Sequence, residues 1–574
     1  MTPHLELVTA SPTPGYLGND HRRKYARAVQ LHLAGDLHRA EELYRAVIEY
    51  DPEYEDCLHH LGIVLYQQAR YTESTQYLER AVSLNPKNAV YHSNYANALQ
   101  ESGALDDAIL NYESAIAINS DFADAHFNLG NAYSKKNVLD LAIKSYTNAL
   151  ELKSDYAAAL SHRGIAFFEL KRFDEALADF NHALEIDPSF LNAYVNRGNT
   201  LRALGRSVEA LDSYDQALQL GTVSAEAHLN RAQALQDLNR SEEALASYDQ
   251  ALAIRPDYPK AISAKGLIYL QLGRFEEGWP LYEWRWHPSL TKSAQRKLNG
   301  TLWRGSENLE GKTILLYAEQ GLGDTIQFAR YVELVKKRGG NVILQVQKGL
   351  LPLMRSLCGY DELVDNDEHL PKVDYICPLM SLPLAFKTTV ESVPTPTPYL
   401  TADPARIDRW QRYLGHDGLK IAVAWQANKT TDIALRRSFP LRHLKRISAM
   451  PGVRLISLQK HDGVEHLGAS LQCDRLEVLP SDFDEDGAFL DSAAVMECVD
   501  LVITCDTALT HLAGALGVRA WLPLRYSPEW RWMLNTDRTP WYPNHLLFRQ
   551  EAPDDWHSAF ETMECQLALM LGCR

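Results

Sequence analysis

The sequence predicts an α-helical solenoid followed by an α/β region of two lobes, and three observations carry that prediction. Small residues recur every 34 positions through the first half: Gly62, Ala96, Gly130, Gly164, Gly198, Ala232 and Gly266. In the second half that period stops, and short apolar runs rich in β-branched residues take its place. A proline cluster, VPTPTPYL at 393–400, splits this second half into a smaller and a larger part.

The repeats come first. Two further rows keep the same step, Ala108, Ala142, Ala176, Ala210 and Ala244, then Ala115, Ala149, Ala183, Ala217 and Ala251. Between them runs a row of rings: Tyr112, Tyr146, Phe180, Tyr214 and Tyr248. Small residues let the first helix of a pair approach the second closely, and the ring fills the remaining gap. Pro52, Pro86, Pro188 and Pro256 stand in phase where each second helix should stop. Residues 1–20 read as a loose tail and 21–290 as about eight helix pairs. The last pair differs: RFEEGWPLYEWRWHP (274–288) packs Trp279, Tyr282, Trp284 and Trp286 into one short helix. So much aromatic surface would be a liability in water, so this unit should dock on the α/β region.

After a linker at 291–311, TILLYAE, NVILQVQ, VDYICPL, LKIAVAW, GVRLISLQ and DLVITCD read as buried parallel strands alternating with helices. The expected lobes are 312–399 and 400–574. No apolar run approaches 18 residues, so no membrane span is expected. The first 20 residues lack a basic start and an apolar core, so no secretory signal is expected either. Eight scattered cysteines without a C-x-x-C pair suggest a reduced, cytoplasmic setting and no zinc site. A net charge of −16 argues against nucleic acid as the main partner.

Two strand-to-helix turns are the candidates for chemistry. The first strand of the smaller lobe runs into Glu319-Gln320-Gly321-Leu322-Gly323-Asp324-Thr325-Ile326-Gln327, where Gly321 and Gly323 permit close backbone approach to an anion. It is not the dinucleotide fingerprint, because Ile326 occupies the third glycine position and the next strand ends in Gln345 and Gln347, without an acid for a ribose. The strand LVITCD passes directly into DTALTHLAGALG, with Asp506 or Thr507 as helix cap and His511 one turn on. Trp425, Gln426, Arg436, Arg437, Gln459 and Lys460 lie at or near the ends of neighbouring strands, where basic residues can neutralise a diphosphate. The D-x-D triplets Asp365-Asn366-Asp367 and Asp484-Glu485-Asp486 read as polar loops, so no metal site is expected.

A 34-residue period with small residues at these offsets resembles the tetratricopeptide repeat. GLGDTIQFARY, RRSFPL, LISLQK, DTALTHLAGALG and the tail WRWMLNTDRTPWYPNHLLFRQ resemble two-lobe GT-B glycosyltransferases of the heptosyltransferase and O-GlcNAc transferase kind. The smaller lobe, about 80 residues, is much shorter than in heptosyltransferases. The resemblance implies an inverting, metal-independent transferase that uses a nucleotide-sugar as substrate and needs no cofactor. It puts Asp324 or His511 in the role of base, and Gly321, Gly323, Gln327, Trp425, Gln426, Arg436, Arg437, Gln459, Lys460, Asp506 and Thr507 around the donor.

The solenoid carries its own candidates. Asn94, Asn128, Asn196 and Asn230 stand two residues before the small residue of their helix, and Asn97, Asn131 and Asn199 stand one after it. Each pair is spaced i, i+3 and shares a helix face. Asparagine is a mediocre helix former, and an amide can bind a peptide unit from both sides, so these rows suit an extended polypeptide acceptor. The other reading is that they tie the repeats together. The O-GlcNAc transferase solenoid has a similar ladder, and flagellin-modifying enzymes share this repeat-plus-transferase layout. The expected function is therefore protein O-glycosylation of Ser or Thr, with flagellin as one acceptor. A glycan-building transferase and a non-catalytic adaptor are the rivals.

Overall fold

A computed structural model describes residues 19–221, 224–290, 298–366, 370, 372–395, 398–427, 437–460, 462–464 and 476–572. The chain divides into two compact units, 1–223 and 224–574.

The first unit is a run of antiparallel helix pairs from Asn19 to Gln219. The small-residue row works as its spacing implies. A Cβ added to Gly130 would lie 2.5 Å from Tyr146, and one on Gly198 would lie 2.5 Å from Tyr214. Another row was not apparent from side-chain type. Gly35, Ala69, Gly103, Asn137, Lys171, Gly205, Asn239 and Gly273, again 34 apart, all take positive φ between the two helices of a pair. Glycine and asparagine suit that conformation, whereas Ala69 and Lys171 are held in it by the repeat geometry.

The second unit holds four more repeat helices, Ala225–Asp237, Ser241–Ile254, Pro259–Gln271 and Phe275–Tyr282, and two parallel sheets. The first sheet contains β1 (Thr301–Leu302), β2 (Thr313–Tyr317), β3 (Asn341–Val346), β4 (Glu362–Asp365) and β5 (Tyr375–Pro378), in the order β1-β5-β2-β3-β4. The second contains β6 (Leu419–Ala424), β7 (Val453–Ser457), β8 (Leu476–Val478), β9 (Leu501–Thr504), β10 (Ala520–Leu524) and β11 (His545–Arg549), in the order β11-β10-β9-β6-β7-β8. All six expected strands form. β1, β4, β8, β10 and β11 are additional, and β1 falls within the stretch read as linker. Asp365 closes β4, so the first D-x-D triplet starts on a strand, which corrects its reading as a loop; Asp367 is outside the described residues.

The aromatic repeat helix docks on the sheets as expected. Trp279 is 2% exposed and donates from Nε1 to the Thr388 carbonyl at 2.9 Å, and its ring meets Trp530 edge-on. Leu270, Phe275, Trp279 and Tyr282 belong to the same apolar core as the interiors of both sheets. Truncating one buried tryptophan in such a core costs about 3–5 kcal/mol. The last repeat helix is therefore part of the α/β core and cannot be removed cheaply.

Candidate functional site

Strand order reverses in the second sheet between β6 and β9, and in open parallel sheets that reversal opens a crevice beyond the strand ends. The turn at the end of β9 is therefore the natural starting point. The four residues of β9 are fully buried, and the chain turns through Cys505, Asp506 and Thr507 into the helix Ala508–Leu516. Thr510 Oγ1 donates to the Cys505 carbonyl at 2.9 Å, pinning the turn from below. Thr507 is the cap residue with extended φ of −140°, and its side chain makes no capping hydrogen bond. The amides of Ala508 and Leu509 thus retain their capacity for an anion, while that of Thr510 donates to the Thr507 carbonyl at 3.1 Å. Asp506 is 7% exposed, and Arg437 Nε lies 3.5 Å from its Oδ2.

The glycine turn of the first sheet meets this helix start. β2 leads through Gly321, the cap of helix Leu322–Phe328, and the Gly321 amide donates to Asp324 Oδ2 at 3.0 Å. Gln347 braces the turn by donating to the Gln320 carbonyl and accepting from Thr325 Oγ1, both at 2.9 Å. At Gly323 a Cβ would stand 2.9 Å from His511 Cδ2 and 3.2 Å from Ala508 Cα. Only glycine lets the two turns touch.

A buried arginine inside the quoted tail, to which the sequence reading gave no role, locks the contact. Arg531, in the short helix Trp530–Trp532, donates to Asp324 Oδ1, to Gln327 Oε1 and to Glu529 Oε1. Burial disfavours its charge, but the Glu529 and Asp324 carboxylates more than offset that, so the guanidinium stays protonated. Burial likewise pushes the Glu529 carboxyl up, against the pull of Arg531. Asp324 therefore has both oxygens engaged, and Gln327, fully buried, spends its carbonyl on Arg531 rather than facing a ligand. Arg330, 2% exposed, donates to the carbonyls of Gln327, Pro394 and Trp541 and has no carboxylate partner among the described residues. The sequence signal for Arg531 was its place in the quoted tail, between Trp530 and Trp532, which gives it no particular role.

His511 is 5% exposed and lies against Trp532 with ring centroids 5.7 Å apart. Its Nδ1 is 2.9 Å from the Tyr542 hydroxyl. Tyr542 reaches it because Gly514 has no side chain; a Cβ there would be 2.1 Å from the tyrosine ring. Burial, then the charges of Arg531 and Arg330 with His545 and Arg437, hold the imidazole well below its ordinary pKa and hence neutral.

Two residues expected at the donor are committed elsewhere. Gln459 accepts from the amides of Trp425 and Gln426, both at 3.0 Å, and donates to the carbonyls of Gln426 and Asp462. Its amide shapes the loop after β6 and is not a free ligand contact. Lys460 Nζ donates to the Phe483 carbonyl at 2.5 Å. Trp425, 1% exposed, is core, and Gln426 beside it is half-buried. Arg436 lies outside the described residues. Asp484 spends its carboxylate on the amides of Asp491 and Ser492. No group of three or more metal-ligating side chains occurs among the described residues.

The asparagine rows divide. Asn97, Asn131 and Asn199 accept from the ring hydroxyls of Tyr112, Tyr146 and Tyr214 at 2.6, 2.9 and 2.8 Å. These are internal braces, which corrects their reading as acceptor contacts. Asn94 pairs with His59 at 2.9 Å. Asn128 and Asn196 make no side-chain hydrogen bond among the described residues, and Asn196 is partly exposed. Asn230, in the second unit, is also half-buried.

Comparison with known proteins agrees with the repeats. Tetratricopeptide-repeat models match residues 31–98, 96–137, 123–156, 157–190 and 189–257, so the chain carries these repeats over 31–257. Protein FlbA of Caulobacter vibrioides is 29% identical over 314 residues, 51% of this chain and 52% of that protein. The chain thus spans about half the length of this relative. A TPR repeat-containing thioredoxin of Arabidopsis thaliana, TTL4, is 44% identical over 48 residues, 8% of this chain and 7% of its own. Among solved structures, YrrB, described as a TPR protein with an unusual peptide-binding site, is 26% identical, with TM-score 0.30 over 33% of this chain and 98% of its own. A tetratricopeptide repeat protein of Parabacteroides merdae is 19% identical, with TM-score 0.36 over 44% and 99%. No described helix is long and apolar enough to cross a membrane.

Proposed function

We propose that the chain is a glycosyltransferase of the two-lobe GT-B kind that moves a sugar from a nucleotide donor to a Ser or Thr hydroxyl of a polypeptide brought by the repeats. The observation that carries this reading is the meeting of the two turns: the uncapped helix start after β9 lies against the Gly321–Asp324 turn after β2, with Gly323 in contact with His511. A nucleoside diphosphate set against that helix start would find free amides and the Arg437 guanidinium. Asp506, Thr507 and the Trp425–Gln426 loop would border it.

In the reaction, the acceptor oxygen forms a bond to the anomeric carbon as the bond from that carbon to the diphosphate breaks. The hydroxyl proton passes to His511, and the nucleoside diphosphate leaves with the bonding electrons. His511 suits the role because it is neutral and one ring edge faces the glycine turn. Asp324, engaged on both oxygens, holds the turn in place. Asn196, partly exposed and without a side-chain hydrogen bond among the described residues, is the repeat amide best able to take an extended peptide, and a flagellin is the first acceptor to try.

The test is calorimetry of the full chain against a panel of nucleotide-sugars and free nucleoside diphosphates, followed by mass spectrometry of an offered polypeptide. Binding with a mass increase on Ser or Thr supports the reading. Binding with transfer only to glycans would favour a glycan builder, and no binding at all would leave an adaptor.

A further inference from the structure

The end of the repeats holds both halves of the site. Arg285, in the short helix Glu283–Trp286 that closes the last repeat, spends all five of its N–H groups inside the protein. Nε and Nη2 donate to the two oxygens of Glu319 at 3.1 and 2.9 Å, and Nη2 also donates to Ser381 Oγ at 2.8 Å. Nη1 donates to Glu283 Oε1 at 2.6 Å and to the Tyr282 carbonyl at 3.3 Å. Ser381 Oγ donates to Glu283 in turn, and the Met380 amide donates to Glu319 Oε1 at 3.1 Å. The Arg285 and Glu319 side chains are 8% and 3% exposed. Glu319 stands between β2 and Gly321, so this fork fixes the chain just before the glycine turn. On the other side, Gln271 Nε2 donates to the Pro528 carbonyl at 2.8 Å, Ser527 Oγ to the Gln236 carbonyl at 2.9 Å and Asn239 Nδ2 to the Tyr526 carbonyl at 2.6 Å. Tyr526–Pro528 lead straight into Glu529 and Arg531, which lock the two turns together.

A buried ion pair stabilises a fold no better than a well-packed apolar pair, so stability alone does not call for one here. What a bidentate fork adds is direction: both Glu319 oxygens are held in a fixed orientation relative to the last repeat. We propose that Arg285 is a positioning residue, which holds the Gly321–Asp324 turn through Glu319 at the spacing that brings Gly323 against His511. The last repeats thus frame the site, gripping one turn through Arg285 and the segment before Arg531 through Gln271. The effect expected on sugar transfer rests on the glycosyltransferase reading; the effect on the turn itself does not.

The test replaces both partners, Arg285→Met with Glu319→Leu, because a single change would strand the other charge in the core. Hydrogen exchange of the full chain, read by mass spectrometry, reports the turn: the Gly321 amide is held by Asp324 and the Thr325 amide by the Gly321 carbonyl. In the double variant these amides should exchange at least about tenfold faster, while those of β3 and β6 keep their wild-type protection. Transfer should fall about 10²-fold in kcat, with KM for the donor within about twofold. Wild-type exchange at the turn overturns the proposal, and so does faster exchange throughout the core, which would make the pair structural only. Faster exchange at the turn with kcat unchanged overturns it as well. If the double variant fails to fold, Arg285→Lys, which keeps the charge and loses the fork, should show the same local change to a smaller degree, and wild-type exchange there overturns the proposal. A loosened turn in a variant whose wild type transfers no sugar would overturn the glycosyltransferase reading and leave Arg285 as the holder of the turn.

Discussion

The repeats and the two-sheet region use polar side chains over different distances along the chain. In the first unit, Asn97, Asn131 and Asn199 each bind a tyrosine 15 residues away within their own helix pair. In the second, Asp324 and Gln327 reach Arg531 across 207 and 204 residues, and Arg330 reaches Trp541 across 211. A local brace can be lost and its neighbours survive, because stability in a repeat array is a sum of unit and interface terms. A long-range ionic lock belongs to one cooperative core, where losing one member leaves the others buried and unpaired. Damage should therefore stay confined in the first unit and spread in the second.

Arg531→Leu is the severest way to test that contrast. It strands Asp324 and Glu529 as uncompensated carboxylates, which should cost about 3–5 kcal/mol. Thermal unfolding should show a large drop in Tm for the second unit, and sugar transfer should vanish. Asp324→Ala is the sharper companion. It should abolish transfer while leaving partner capture by the repeats unchanged, and equal transfer by variant and wild type would remove Asp324 from the site. A smaller loss is expected from Gly323→Ala. Its Cβ would meet backbone at 3.2 Å as well as the His511 ring, so the turns must part by tenths of an ångström. Overpacking of that kind costs about 1–3 kcal/mol, and nucleotide affinity should fall with it, readable by calorimetry.

The same contrast explains what could be read from the sequence. The helix pairs were legible because one period repeats the same local solution, Gly130 under Tyr146 and Gly198 under Tyr214. The six longest β-branched runs were legible as buried strands. β10, AWLPL, and β11, HLLFR, were not, since short runs carrying proline or basic residues blur the pattern. Gly321, Gly323, Asp324, Asp506 and His511 stood out because strand-to-helix turns have recognisable residues. Arg531 and Tyr542, in the quoted tail, and Tyr399, in the proline cluster, gained no role from the sequence, because their partners lie far away in sequence and no spacing rule connects them. Gln459 and Lys460 had the right residue types in the right places, but backbone carbonyls and amides claimed them first.

Acid should separate the two units by a moderate amount. Burial pulls His545 down to about 4, and His511 is held well below its ordinary value. Both are neutral when folded, and the unfolded chain binds more protons below about pH 6.5. Their contribution is therefore complete above that pH and is lost as pH falls toward the folded values, at up to about 1.4 kcal/mol per pH unit for each histidine. His32, His59 and His162 add the same trend to the first unit, and His228 and His443 add to the second. Denaturant unfolding at pH 7 and pH 5 should therefore weaken both, the second more. An unchanged midpoint at pH 5 would mean that these rings charge without unfolding their surroundings.

The smallest effects fall in the asparagine rows, where the two positions of one helix should behave oppositely. Asn97→Ala leaves the fully buried Tyr112 hydroxyl without its acceptor, which should cost about 1–3 kcal/mol. Asn196→Ala removes a partly exposed side chain that makes no hydrogen bond among the described residues, so stability should move by less than about 0.5 kcal/mol. If this amide holds an extended acceptor, the change should still weaken capture of the polypeptide several-fold. Loss of stability in Asn196→Ala without loss of capture would make the first row a brace like the second. The acceptor would then have to be held by some other face of the repeats.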